Sequence, residues 1–257
     1  MFTNIIYFAA RNLLCMRFRK YLLLLLFFVS SSWTSVHLHA QTSNDDSLMV
    51  SASAAYLKLM GENASVFNGA EYVSPRQQID GFPFYGQENQ YKGALYFSGV
   101  WYFNLPIHLD LVNDKILMWS FDGSRLLMLN SDKLERVKLG ETQFVNASLI
   151  LNAASAPKTG FYQLVYDGKI KVLAKRQKVI VQKSSSDSAF AFYKQFTKYF
   201  IVVNDKWSEV SSKNSILNIL SDKRDALKGY ISKEKLNYNK STELFLEKVV
   251  RYYETSK

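Results

Sequence analysis

The stretch Val100-Trp101-Tyr102-Phe103-Asn104-Leu105-Pro106-Ile107-His108-Leu109-Asp110-Leu111-Val112 decides how the chain is read. Trp101, Phe103, Leu105, Ile107, Leu109 and Leu111 all fall on odd positions, while Tyr102, Asn104, Pro106, His108 and Asp110 fall on even ones. Successive side chains of a strand point to opposite faces, so this alternation predicts a β-strand with its odd face buried. Pro106 has no N–H to give to a ladder and marks an edge or a bulge.

Turn signals punctuate the chain on both sides of this strand: Asn68-Gly69, Asn113-Asp114, Asp122-Gly123, Asp167-Gly168 and Asn204-Asp205. Such pairs tolerate the positive φ angles of tight hairpins, and their spacing describes an antiparallel meander. Two-residue turns at Asn113-Asp114 and Asp122-Gly123 place Leu109 opposite Met118, His108 opposite Trp119, and Trp119 opposite Leu126. Leu117, Trp119, Leu126 and Met128 make the second face apolar too, which suits a sandwich, a half-barrel, or a sheet with helices on one side. A further hairpin over Phe161–Ala174 turns at Asp167-Gly168, with Phe161, Val165, Ile170 and Val172 on one face; Tyr199–Val203 and Trp207–Val210 form a last one.

After Ser211 the period changes. Ser215–Leu220 is a short helical run, and Ser221 or Asp222 caps a second helix with the stripe Ala226, Leu227, Tyr230 and Ile231. Ser241 or Thr242 caps a third, with Phe245, Val249, Tyr252 and Tyr253 on one side. The expected class is α+β: an antiparallel β-rich body, a meander forming a sandwich or half-barrel, with a C-terminal helical cap. The expected organisation is a signal peptide over 1–40, a β domain over 41–211 and a helical segment over 212–257 packed on it.

The signal is read from Arg17, Arg19 and Lys20 after Met16, then the apolar run Tyr21–Val29, then Leu38-His39-Ala40 before Gln41. That run is nine residues, against the roughly 20 a spanning helix requires, so cleavage is expected rather than a permanent anchor. Met16 is an alternative start to Met1. Cys15 precedes the apolar run, the wrong side for lipid attachment, so no lipid anchor is expected. Location is therefore the periplasm or the outer membrane.

Cleavage after Ala40 leaves 217 of the 257 residues, with 28 basic against 22 acidic side chains, a net charge of +6. That charge is too small for a dedicated nucleic-acid binder. Cleavage also removes the sole cysteine and two of the three histidines, leaving His108. Disulfides, thiol nucleophiles, cysteine zinc sites and multi-histidine metal sites are thereby excluded, and no cofactor is expected.

The signal ending His39-Ala40-Gln41, the segment Gly160-Phe161-Tyr162 leading to Tyr166-Asp167-Gly168-Lys169, and the ending Ser215-Ile216-Leu217 through Asp222-Lys223 to Tyr230-Ile231 together carry a likeness. In these the chain resembles a family of exported cell-envelope proteins of the Bacteroidota without assigned activity. The resemblance implies export and a β-then-helix layout, and it brings no site residues.

Two segments are candidate contact surfaces. Lys169, Lys171, Lys175, Arg176, Lys178 and Lys183 follow one another with no acid between Asp167 and Asp187. Tyr162, Tyr166, Lys169 and Lys171 on one hairpin face would hold a phosphate or carboxylate of an envelope glycan or lipid head group; the plainer reading is lysines blunting an exposed edge. In the long connection Ser74–Lys92, Phe82, Phe84 and Tyr85 would stack on sugars or enter a partner's groove; the plainer reading is that they plug the open end of the sheet.

His108 and Asp110 are two apart on one strand face, about 7 Å, too far for a direct hydrogen bond, which favours a structural role over a hydrolytic triad. Ser155–Lys158 and Ser232–Lys235 have Ser-x-x-Lys spacing without the companion motifs of penicillin-recognising enzymes, a chance match. Asn63, Asn146 and Asn239 head glycosylation sequons. The expected function is a non-enzymatic envelope protein that binds another envelope component. A glycan- or lipid-binding carrier or sensor, and a carboxylate-based hydrolase, are the alternatives.

Overall fold

The computed structural model describes residues 42–74, 79–86, 89–150, 159–184 and 189–256, so the signal segment 1–40 lies outside the described residues. The chain divides into two compact units, Met1–Leu48 and Met49–Lys257. Of the first, only the opening turns of helix α1 (Thr42–Met60) are described. That helix was not expected from the sequence. Its residues make no continuous apolar stripe, and Leu48 and Leu59 are exposed.

The unit beginning at Met49 is α+β, built on one sheet with twelve strands among the described residues. They are β1 (Gly69–Glu71), β2 (Ile79–Asp80), β3 (Tyr91–Phe97), β4 (Val100–Asp110), β5 (Lys115–Trp119), β6 (Leu126–Leu129), β7 (Leu134–Leu139), β8 (Thr142–Asn146), β9 (Phe161–Asp167), β10 (Lys171–Ser184), β11 (Ala189–Val203) and β12 (Lys206–Val210). The sheet order is β1-β6-β5-β4-β3-β7-β8-β9-β10-β11-β12, antiparallel along the whole path, with β2 pairing parallel to β11. Two meanders thus run outward from the β3/β7 pair in opposite directions. The sheet curls far enough for the Lys178 N–H in β10 to donate to the Leu111 carbonyl just after β4 (2.9 Å), yet it is not closed into a barrel.

Burial is split among three clusters. The first, inside the curl, gathers Leu95, Phe97, Tyr102, Ile107, Leu109, Met118, Val137 and Phe144, together with Phe161. The second lies between β9–β12 and helices α3 (Lys213–Ile219), α4 (Arg224–Lys233) and α5 (Thr242–Thr255), where Val172, Ile201 and Val210 meet Leu217, Leu227, Ile231, Phe245 and Val249. The third, Val145, Tyr162, Leu173 and Phe200, sits on the opposite face of the same strands. Strands β10 and β11 are buried on both faces near their bases because Val172↔Ile201 faces the helices and Leu173↔Phe200 the other way. Short helix α2 (Ala147–Ile150) follows β8. Among the described residues no helix is long and apolar enough to cross a membrane.

The opening strand departs from strict alternation. Gly93 pairs with Leu105 but Leu95 pairs with Tyr102, so β4 carries one more residue than β3 between these two rungs. Asn104 occupies the left-handed region (φ 56°), which asparagine tolerates better than other non-glycine residues. The inserted residue reverses the parity: Leu105, Ile107, Leu109 and Leu111 are buried as expected, but upstream it is Tyr102 that is buried, and Trp101 and Phe103 turn outward. Gly93, opposite the bulge, admits no side chain, since a Cβ would lie 2.5 Å from the Lys138 carbonyl oxygen. Pro106 sits in an interior strand, paired with Lys92 and one residue before the β5 ladder begins at Ile107.

A second correction concerns register. The observed pairs are Ile107↔Met118, His108↔Leu117 and Leu109↔Ile116, two residues from the expected pairing. The turn spans four residues, Leu111–Asp114, because the Asp110 carboxylate accepts the Val112 and Asn113 N–H groups (2.8 and 3.0 Å) and the Asn113 side-chain amide (2.7 Å). Trp119↔Leu126 is as expected, since the longer loop 120–125 is centred on Asp122-Gly123. A shift between Val172 and Leu173 places another irregularity at Val165, yet Phe161, Val165, Ile170 and Val172 lie on one side of the sheet as expected, Phe161 in the first cluster and the other three in the second. Asn68-Gly69 leads into β1 rather than a hairpin, whereas Asn204-Asp205, both at positive φ, is the two-residue turn expected.

Asn104→Gly is expected to leave stability within a few tenths of a kcal/mol, and Asn104→Val to cost about 1–2 kcal/mol because a β-branched residue is strained at positive φ. Asp110→Ala should cost about 3 kcal/mol by stranding buried donors. Urea denaturation of the three variants checks these values.

Candidate functional site

The aromatic loop is folded onto the sheet. Tyr85 N–H donates to the Leu109 carbonyl (2.9 Å) and Leu111 N–H to the Pro83 carbonyl (3.0 Å), so residues 83–85 extend the sheet beside the end of β4. Phe84 packs on the His108 ring (centroids 4.2 Å apart), and Tyr85 meets Phe144 edge-on in the first core cluster. The Lys178 ammonium holds the loop by donating to the Phe82 and Phe84 carbonyls (2.7 and 2.8 Å), above the Phe82 ring. Tyr85 thus packs on the core inside the curl, whereas Phe84 lies half-buried on the opposite face of β4, over His108, and Phe82 is half-buried beside Lys178.

The basic hairpin face is dispersed, because the irregularity at Val165 puts Tyr162 and Tyr166 on opposite sides of the sheet. Tyr162 is fully buried among Phe200 and Trp207. Tyr166 donates to Glu254 of α5 (2.8 Å). Lys171 pairs with Asp167, and Lys169 is exposed. Lys175, from the same basic run, is buried and bound to Asp114 (2.6 Å) and to the Thr159 and Phe161 carbonyls (3.1 Å each). Arg176 joins Glu243, at the start of α5, and Gln163. These cations fasten strands and helices together and do not converge on a ligand. Asn146 is also withdrawn from its sequon, since it is buried and its amide donates to the Ser131 and Leu134 carbonyls.

The surface that does converge is one the sequence reading assigned to the core. The bulge turns Trp101 and Phe103 outward, where their rings stack at 5.8 Å with planes 19° apart, and Tyr96 of β3 meets Trp101 at 5.2 Å. Opposite them stand Met49, Ala52, Ser53 and Tyr56 of α1. Ser53 Oγ accepts the Phe103 N–H (3.3 Å), which fixes this part of α1 against β4. Below, the Ser65 hydroxyl meets the Tyr102 hydroxyl at 3.3 Å, and the tight turn Ser98-Gly99 closes one end. The result is a groove of about 750 Å³, well within the range of small-ligand sites. Its twelve lining residues are aromatic, aliphatic or hydroxyl-bearing, and none carries a charge. It therefore offers ring faces and hydroxyls, and no counter-ion for a phosphate or carboxylate.

Behind the aromatic loop lies a buried polar node. Asp110 is wholly buried, and besides its turn donors it binds the Tyr72 hydroxyl, whose pKa is pushed up by burial and by that carboxylate. Burial and the Asp110 charge likewise raise Tyr193, while burial lowers Lys178 against the opposing pull of Asp110. His108 is buried, its Nδ1 has no hydrogen-bond partner, and burial lowers its pKa from the ordinary 6.5. Among the described residues no three His, Cys, Asp or Glu side chains gather as a metal site.

A histidine held neutral in the fold binds protons more readily when unfolded. Its contribution is thus present above the unfolded-state pKa of about 6.5 and is lost as pH falls below it. The unfolding midpoint of the wild type should fall between pH 7.5 and pH 5 by more than that of His108→Phe, as thermal melts across that range will show. Comparison of the chain with protein families, with curated proteins and with solved structures found no match to any of them.

Proposed function

We propose that the chain is an exported, non-catalytic protein of the cell envelope that binds a glycan there, in the groove between α1 and the β3–β4 hairpin. The observation that carries this reading is the outward-facing pair Trp101 and Phe103, stacked with nearly parallel rings beside Tyr96. Flat aromatic faces pack against the C–H faces of sugar rings, and the hydroxyls of Ser53, Ser65, Tyr56 and Tyr96 around the same groove suit sugar hydroxyls. The uncharged lining favours neutral sugars over phosphorylated or uronic ones. Export is supported by the Arg17–Ala40 pattern, and it brings the groove to the periplasm or the outer membrane, where such glycans are found.

The test is a tryptophan-fluorescence titration with soluble oligosaccharides released from the envelope, separated into neutral and acidic pools. The neutral pool should shift the emission, and Trp101→Ala should weaken its binding roughly tenfold, equivalent to about 1.4 kcal/mol, while Lys169→Ala leaves it unchanged. Equal binding by Trp101→Ala and wild type would contradict the proposal.

A further inference from the structure

The hairpin of β10 and β11 continues well past the part covered by the helices, pairing without interruption to Ser184↔Ala189. Residues directly opposite each other share a face, so Lys183↔Phe190, Val181↔Phe192, Val179↔Lys194 and Gln177↔Phe196 present one surface. Phe190, Phe196 and Val179 are exposed there to 52%, 46% and 43%, an unusual concentration of large apolar groups for a free sheet face. Phe190 and Phe192 lie together (6.2 Å), and the ammonium groups of Lys183 and Lys194 sit over the rings of Phe192 and Phe196 (5.5 and 5.3 Å).

The described strands of this arm carry charge of one sign. Described residues 171–184 and 189–203 include seven Lys or Arg and no acid. Toward the base these cations are neutralised, Lys175 by Asp114, Arg176 by Glu243 and Lys198 by Glu209. Toward the tip, Lys183 and Lys194 have no carboxylate partner among the described residues, and Asp80 of β2 is paired with Phe192. Exposed phenylalanines flanked by lysines with no carboxylate partner among the described residues match the boundary of an anionic bilayer, where rings enter the interface and long cationic side chains reach the head groups.

We propose that this distal hairpin face docks the protein onto an anionic lipid membrane, Phe190, Phe192 and Phe196 entering the interfacial layer and Lys183 and Lys194 contacting lipid phosphates. The site lies on a different hairpin from the groove and stands or falls separately from it. The geometry is shallow: the strands lie on the surface and do not span it.

Co-sedimentation of the full chain with phosphatidylcholine vesicles, with and without phosphatidylglycerol, tests this. Wild type should bind the anionic vesicles more tightly, and added salt should weaken that binding. Lys183→Glu with Lys194→Glu should reduce binding on the order of tenfold, and Phe190→Ser with Phe196→Ser by a similar factor. All four positions are exposed, so unchanged thermal melts will show that the variants fold. Undiminished vesicle binding by both double variants would overturn the proposal. So would a wild-type dimer, dissolved by the same substitutions, in a chain that shows no preference for anionic vesicles.

Discussion

Side chains along a strand alternate strictly, so one extra residue reverses every assignment beyond it. In β4 that residue comes at Asn104, whose left-handed backbone lets Leu105–Leu111 feed the interior on odd positions while Tyr102 feeds it on an even one. The same reversal delivers Trp101 and Phe103 to the surface, where Ser53 of α1 accepts the Phe103 N–H. The packing of this part of the core and the lining of the groove both follow from this one backbone irregularity.

A curled, open sheet with three separate cores also needs ties between its ends. Asp110 caps the β4–β5 turn and binds Tyr72, while Lys178 draws the loop 82–84 onto the end of β4. Lys175 joins that turn to β9 through Asp114, and Arg176 joins the sheet to α5 through Glu243. Removing one member of such a buried pair leaves the other charge uncompensated, which costs more than the pair itself contributes. The middle of the basic run Lys169–Lys183 is thus internal fastening, while Lys169 at its start and Lys183 at its end remain exposed.

The sequence made the antiparallel sheet and the C-terminal helices legible because both are written in repeated, local signals. Leu227 and Ile231, or Phe245 and Val249, recur at helical spacing and are buried, and Asn204-Asp205 makes its turn with its own two residues. What the sequence concealed depends on single residues acting at a distance. Asp110 lengthens a turn that Asn113-Asp114 alone would have kept at two residues, and Asn104 inverts a face that six odd-numbered apolar residues had seemed to settle. Helix α1 escaped notice because its small and polar residues show no apolar stripe. The groove was hidden for the same reasons, since one wall is that helix and the other consists of aromatics that alternation assigned to the interior.

The bulge turns an apparent core segment outward, and we propose that the surface so formed binds a glycan. Aromatic-side-chain NMR of the chain, recorded with and without the neutral envelope oligosaccharides, addresses it most directly. The account predicts that resonances of Trp101, Phe103 and Tyr96 shift together on titration while those of buried Tyr162 and Phe200 stay in place. Absence of any shift in the three groove residues, or shifts confined to rings elsewhere, would contradict it.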